Sequence, residues 1–271
     1  MTQPLPGSWG TAIEEWTLAQ QSAGFPTTTI ATRTQHLRHL GRGIGIGPWE
    51  VTGDALVRWT GMQVWKTETR RGRRNTFLCF YRWAVGAGHL DSNPAEALAK
   101  IKPAAPRPRP APETAWQAAL LRADSRETIM LRLASHGLRR AEVAQGHSDD
   151  VIPDLDGWTL IVHGKGARER YVPLKPELAT ALRALPPGYF FPGDDDGHLS
   201  PRWVGKLITN LLPDHWTMHT LRHRFATKSY ALNTDMYAVQ ELLGHASPVT
   251  TRMYVELPRD TLRRTINAVA S

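Results

Sequence analysis

Four short runs of the chain combine arginine, lysine, histidine and tyrosine in a pattern suited to attack on a phosphate diester. They are Ser135-His-Gly-Leu-Arg-Arg-Ala-Glu-Val143, Gly164-Lys-Gly166 with Glu169-Arg-Tyr-Val-Pro-Leu174 after it, His219-Thr-Leu-Arg-His223, and Leu242-Leu-Gly-His-Ala246 followed by Thr250-Thr-Arg-Met-Tyr254. Phosphoryl transfer requires an in-line nucleophile and stabilisation of charge on the non-bridging oxygens. Two arginines can donate in fork geometry to those oxygens and stay charged at every relevant pH. A tyrosine with a pKa near 10 is a poor nucleophile unless its proton is accepted or its anion stabilised, and His219 with the arginines is the available means. A lysine on a turn, Lys165, can protonate a leaving oxygen, and His245 can hydrogen-bond the phosphate in the transition state. No acidic cluster with metal-ligand character lies beside these runs, so side-chain cations stand where a metal would, and neither metal nor cofactor is expected. Each run alone is weak evidence; all four in this order, with a histidine nine residues before the tyrosine, are hard to obtain by accident.

This assembly resembles the tyrosine recombinase (phage integrase) family across essentially the whole C-terminal part. The resemblance implies that Arg139, Lys165, His219, Arg222, His245 and Tyr254 are catalytic, with Tyr254 the nucleophile and Glu142 a supporting acid. It implies a covalent link to a DNA 3′ end, reversed by a free 5′ hydroxyl of the partner strand. Site-specific recombination that integrates or excises a phage or mobile element is the function expected. A chromosome dimer-resolving recombinase and a catalytically silent DNA-binding regulator of the same fold are the alternatives. The expected partner is double-stranded DNA at core-type sites, bound by a homotetramer on synapsed DNA that is monomeric when free. An accessory DNA-bending or directionality factor is compatible with this. About ten residues precede the first expected helix, so the expectation is a compact form without an arm-binding domain.

The elements that must position these residues divide at Ile101 to Pro112, IKPAAPRPRPAP, whose prolines resist helix and favour a semi-rigid connector. Residues 1–100 are expected to be an all-α bundle resembling the family's core-binding domain. Its helices should run over about Thr11–Gln21, Thr27–Leu40, Thr52–Met62 with Val57 and Trp59 buried, and Thr67–Val85. Asn93 should cap a short fifth helix with Pro94 at its first position. Arg70, Arg71, Arg73 and Arg74 at the start of the fourth helix are the candidate DNA contacts of this domain. Residues 113–271 should form a mixed α/β, mainly helical catalytic domain. Two helices, about Glu113–Leu121 and Arg126–Ser135, precede a hairpin of Trp158–Val162 and Arg170–Pro173, and helices follow from Ser200 with breaks near Pro213, Gly244 and Pro258. After Tyr254 a short helix with Leu262, Ile266 and Val269 on one side can dock on a neighbouring subunit or on its own domain.

The net charge of +8 and pI near 9.9 point to a polyanionic partner. Neither a secretory signal nor an apolar run of membrane-spanning length is legible, which suits a cytoplasmic, nucleoid-associated protein with no membrane partner. The single cysteine, Cys79, lies in an aromatic run and is expected to pack rather than react. His198, His215 and His223 are read as structural or surface residues, His136 as a packing or supporting residue, and Tyr230 and Tyr237 as core rather than rival nucleophiles.

Overall fold

The computed structural model describes residues 4–103, 108–164, 168–233 and 235–244. The chain divides into two compact units, Met1–Ala105 and Pro106–Ser271.

The first unit is helical, with no strand among its described residues: α1 (Gly7–Ser22), α2 (Thr27–Gly43), α3 (Gly53–Gly61) and α4 (Thr67–Gly86), with 3-10 turns at Pro48–Glu50 and Pro94–Ala97. Thr52 caps α3 by accepting from the Ala55 amide at 3.2 Å. Asn93 accepts from the Ala95 amide at 3.0 Å with Pro94 at the first position, as the sequence predicts, but the segment they open is a four-residue 3-10 turn and not a longer fifth helix. The core is aromatic: Trp9, Trp16, Phe77, Phe80 and Tyr81 are buried. Phe80 lies at its centre, in ring contact with Trp9, Trp16, Trp49, Tyr81 and Trp83. Trp49 is also stacked on His89, with centroids 4.2 Å apart. Cys79 is half-buried against this core. The expected burial of Trp59 holds, but Val57 is exposed, because α3 turns Leu56, Trp59 and Thr60 inward instead.

The second unit runs α5 (Glu113–Arg122), α6 (Ser125–Ser135), α7 (Arg140–Ala144), β1 (Val151–Asp154), β2 (Gly157–His163), β3 (Glu169–Leu174), α8 (Pro176–Arg183), β4 (Pro192–Asp195), α9 (Pro201–Leu211), α10 (Met218–Asn233) and α11 (Met236–Leu243). The predicted hairpin is the β2–β3 pair of a three-stranded antiparallel sheet, in which Leu160 lies opposite Val172 and β1 adds an outer strand. Leu160, Val162, Val172 and Leu174 face a core shared with α6, α8 and α9, centred on Leu131, Leu133, Leu178, Phe191, Val204 and Ile208. Asp124 and Glu127 form a capping box that starts α6. Ala111, inside the proline-rich stretch, is buried in this core, and its amide donates to the Thr220 carbonyl at 3.0 Å. Glu113 then ties α5 to α10 by accepting from Arg224 and Lys228. Among the described residues no helix is long and apolar enough to cross a membrane.

Candidate active site

The turn from α6 into α7 carries the first arginine. Gly137 takes a positive φ of 86° there, and a Cβ on it would lie 2.7 Å from the Phe225 ring, so the turn admits only glycine. Arg139 is the N-cap of α7 and Glu142 its third residue. The Glu142 carboxylate reaches back to accept from the Arg139 amide at 2.6 Å and from Arg139 Nη1 at 2.7 Å. Glu142 is also buried against a second guanidinium, Arg170 on β3, whose Nη1 and Nη2 donate to its two oxygens at 2.8 and 2.7 Å. Burial pushes the Glu142 carboxyl up, but the Arg170 hydrogen bonds and charge, joined by those of Arg139, outweigh it and hold the group at about 2. The supporting acid is therefore ionised and serves two arginines at once.

Arg222 extends from α10 and is buried. Its Nη1 donates to the Gly137 carbonyl and its Nη2 to the Leu243 carbonyl at 2.5 Å, joining the α6–α7 turn to the end of α11. Gly244 ends α11 in the left-handed conformation, φ 60° and ψ 48°. Its carbonyl accepts from Arg139 Nη2 at 3.2 Å, and the Leu242 carbonyl accepts from Arg170 Nε at 2.9 Å. His219 lies one turn before Arg222 on α10, and its ring meets His223 edge-on at 4.7 Å. Desolvation and the neighbouring Arg222 charge lower the His219 pKa, so its imidazole is neutral at neutral pH and able to accept a proton.

Arg139, His219 and Arg222 line one cleft of about 760 Å³, together with Arg140, Arg202, Lys206, Thr209 and Asn210. Neither Arg202 nor Lys206 belongs to the four motif runs. Both lie on the exposed side of α9, whose other side holds Val204 and Ile208 in the core, and a cation pair at i and i+4 opposite that apolar stripe is the available signal. Arg170 was missed too. Three further predicted residues, Lys165, His245 and Tyr254, lie outside the described residues, as does the helix expected after Tyr254. The hairpin arms that flank Lys165 are joined by a bond from the Gly164 amide to the Arg168 carbonyl at 2.6 Å. Among the described residues no group of three His, Cys, Asp or Glu side chains converges to hold a metal ion.

In the first unit the four arginines near the start of α4, Arg70, Arg71, Arg73 and Arg74, have different surroundings. Arg70 donates to the Thr60 and Gln63 carbonyls at 2.8 and 2.7 Å, closing the end of α3. Arg74 donates to the Leu98 carbonyl at 3.0 Å. Arg73 contacts His39 at 2.9 Å and lies over the Trp65 ring, and Arg71 is exposed and paired with Glu68. Of the residues read as structural, His198 and His223 are buried, and His136 is half-buried with Nδ1 on the Arg132 carbonyl. Tyr230 packs against Ala226, Val239 and Leu243. Tyr237 is not core as expected: it is exposed, because α11 buries Val239 and Leu243 on its other side.

The phage integrase family profile matches residues 112–259 of this chain. The tyrosine recombinase XerC of Xylella fastidiosa is 32% identical over 267 residues, covering 88% of this chain and 90% of the relative. XerC of Methylobacterium nodulans is 38% identical over 144 residues, 48% of this chain and 44% of the relative. In fold, the chain is similar to a lambda integrase dimer bound to a COC′ core site, with a TM-score of 0.73 at 18% identity over 91% of this chain and 77% of that one. It is also similar to the XerH site-specific recombinase bound to palindromic difH substrate, with a TM-score of 0.70 at 17% identity over 89% and 80% of the two chains. With a family match over more than half its length and a relative aligned nearly end to end, the chain belongs to the phage integrase family and is a tyrosine recombinase, an enzyme that cuts and rejoins DNA at specific sites.

Proposed function

We propose that this recombinase cuts at core-type sites through Tyr254, forms a 3′-phosphotyrosyl intermediate, and integrates or excises a phage or mobile element. The observation that carries the reading is the single cleft shared by Arg139, His219 and Arg222 and edged by Arg140, Arg202 and Lys206. A phosphate seated there would receive fork-shaped donors from two arginines, and a neutral His219 could take the phenolic proton of Tyr254. The Tyr254 oxygen then bonds to phosphorus while the bond to the 5′ oxygen breaks. Lys165 protonates that oxygen, and His245 hydrogen-bonds a non-bridging oxygen in the transition state. The phosphotyrosyl ester keeps the energy of the broken diester, so a 5′ hydroxyl can reverse the step with no cofactor.

The first unit would contact the same duplex through Arg70, Arg71, Arg73 and Arg74; phosphate contacts from both units make binding steeply salt-dependent. Lambda integrase has been seen as a dimer on a core site and as a tetramer on a Holliday junction, which supports a tetramer on synapsed DNA here, assembled from free monomers at the nucleoid. An accessory DNA-bending or directionality factor fits this scheme. The similarity to XerC recombinases favours a second reading, a recombinase that resolves chromosome dimers. Duplexes recovered from genomic fragments by binding to Tyr254→Phe, then nicked to trap the intermediate, distinguish these roles. Wild type should form a covalent adduct that Tyr254→Phe does not, and the recovered sequence identifies the target as an attachment site or a chromosomal resolution site. Failure of wild type to form any adduct would leave a silent DNA-binding regulator instead.

A further inference from the structure

The last three carbonyls of the described chain, those of Leu242, Leu243 and Gly244, are each taken by a different guanidinium: Arg170 at 2.9 Å, Arg222 at 2.5 Å and Arg139 at 3.2 Å. Helix ends leave such carbonyls unsatisfied, and cations there also complement the helix dipole. Arg139 and Arg222 line the cleft, but Arg170 does not; its side chain is 5% exposed and points into the unit. Its donors instead join Glu142 to the end of α11. Gly244 also allows this arrangement, since a Cβ there would lie 3.0 Å from Arg170 Cδ.

We infer that Arg170 is a positioning residue for strand cleavage: it locks Glu142, and through Glu142 the guanidinium of Arg139, to the carbonyl end of α11, from which the chain continues directly to His245 and on to Tyr254. The inference rests on reading the cleft as the cleavage site. Only arginine suits the position, because its planar fork meets both carboxylate oxygens while Nε still reaches a third acceptor; a lysine ammonium offers a point charge on a flexible stem. Arg170 touches none of the cleft's outer cations, so its loss should disturb the geometry of the reaction and leave the capture of DNA in place.

Full-length Arg170→Lys and Arg170→Met, compared with wild type on the nicked duplex selected by Tyr254→Phe, test this. Adduct formation in a single turnover should slow roughly 100-fold in both variants while duplex affinity stays within about threefold. Amide hydrogen exchange without DNA supplies a second readout: the Arg139 amide and the amides of α11 should exchange faster, with those of Val204 and Ile208 on α9 unchanged. If Arg170→Met melts, Arg170→Lys, which keeps the charge, carries the comparison. Wild-type adduct rates in a folded Arg170→Lys would overturn the inference and leave the cleft reading intact. Equal loss of rate and affinity, with exchange raised throughout the unit, would overturn it as a general loss of fold. No adduct from wild type would overturn the cleft reading, and the inference with it.

Discussion

The Glu142→Gln substitution isolates the ion cluster on which the cleft is built. Glu142 accepts four hydrogen bonds, one from the Arg139 amide, one from the Arg139 side chain and two from Arg170. Its carboxyl is held at about 2, against an ordinary value of 4.5. That interval corresponds to about 3 kcal/mol of folding stability. A separate route gives a similar size: removing one partner of a buried ion pair costs about 3–5 kcal/mol, because the charge left behind has no solvent. The folded pKa is depressed, so the stabilisation is complete above the unfolded pKa near 4.5 and is lost as the pH falls from there towards 2. Glu142→Gln should therefore be about 3 kcal/mol less stable than wild type at neutral pH, and the gap should close as the pH approaches about 2. Urea titrations of the two full-length proteins across this range read the difference directly, as a midpoint displaced by roughly 1–3 M at neutral pH. Other carboxylates titrate alike in both proteins and cancel. A neutral-pH gap below about 1 kcal/mol, or one that persists in acid, would refute the assignment of Glu142 as a buried anion shared by two arginines.

Removing either Arg202 or Lys206 by substitution with alanine should weaken duplex binding at every sequence and lower the salt-dependence slope by about one each, with unchanged melting, because both are exposed; binding isotherms at several salt concentrations measure this. In the first unit, Arg70→Ala should destabilise the fold by about 1–3 kcal/mol, since it removes the guanidinium that joins the Thr60 and Gln63 carbonyls and leaves that of Gln63 without this donor. Arg71→Ala should leave stability within about 0.5 kcal/mol of wild type and act only on DNA affinity, which denaturation and binding measured side by side will separate.

The helices were legible from apolar residues near helical spacing, such as Ile13 and Trp16 on α1, and the motif boxes because each combines rare residue types at fixed spacing. The failures have local causes. Val57 and Tyr237 were each assigned to the core as apolar residues of a helix, yet they sit off the stripes set by Leu56, Trp59 and Thr60 on α3 and by Val239 and Leu243 on α11. The outer strand β1 is four residues long and contains Pro153, too short for alternation to register. Arg170 was hidden inside a recognised strand, although its signal was present. It shares the inward phase of β3 with Val172 and Leu174, and a charge at such a position requires a buried partner. Arg70 and Arg74 show the reverse: a run of arginines suggests a uniform surface, but two of them close backbone ends that only the tertiary fold brings near.

The aromatic core around Phe80 has an optical consequence. Of the ten tryptophans, only Trp116, Trp158, Trp203 and Trp216 belong to the second unit, and the others cluster in the first. Rings in contact couple their transitions, so the near-ultraviolet dichroism of this protein should come mostly from the first unit and report chiefly its packing. The coplanar pair of Trp49 and His89, 4.2 Å apart, adds a fluorophore whose emission depends on that stack. The first unit thus carries its own label, and its unfolding can be followed by light without attaching a dye.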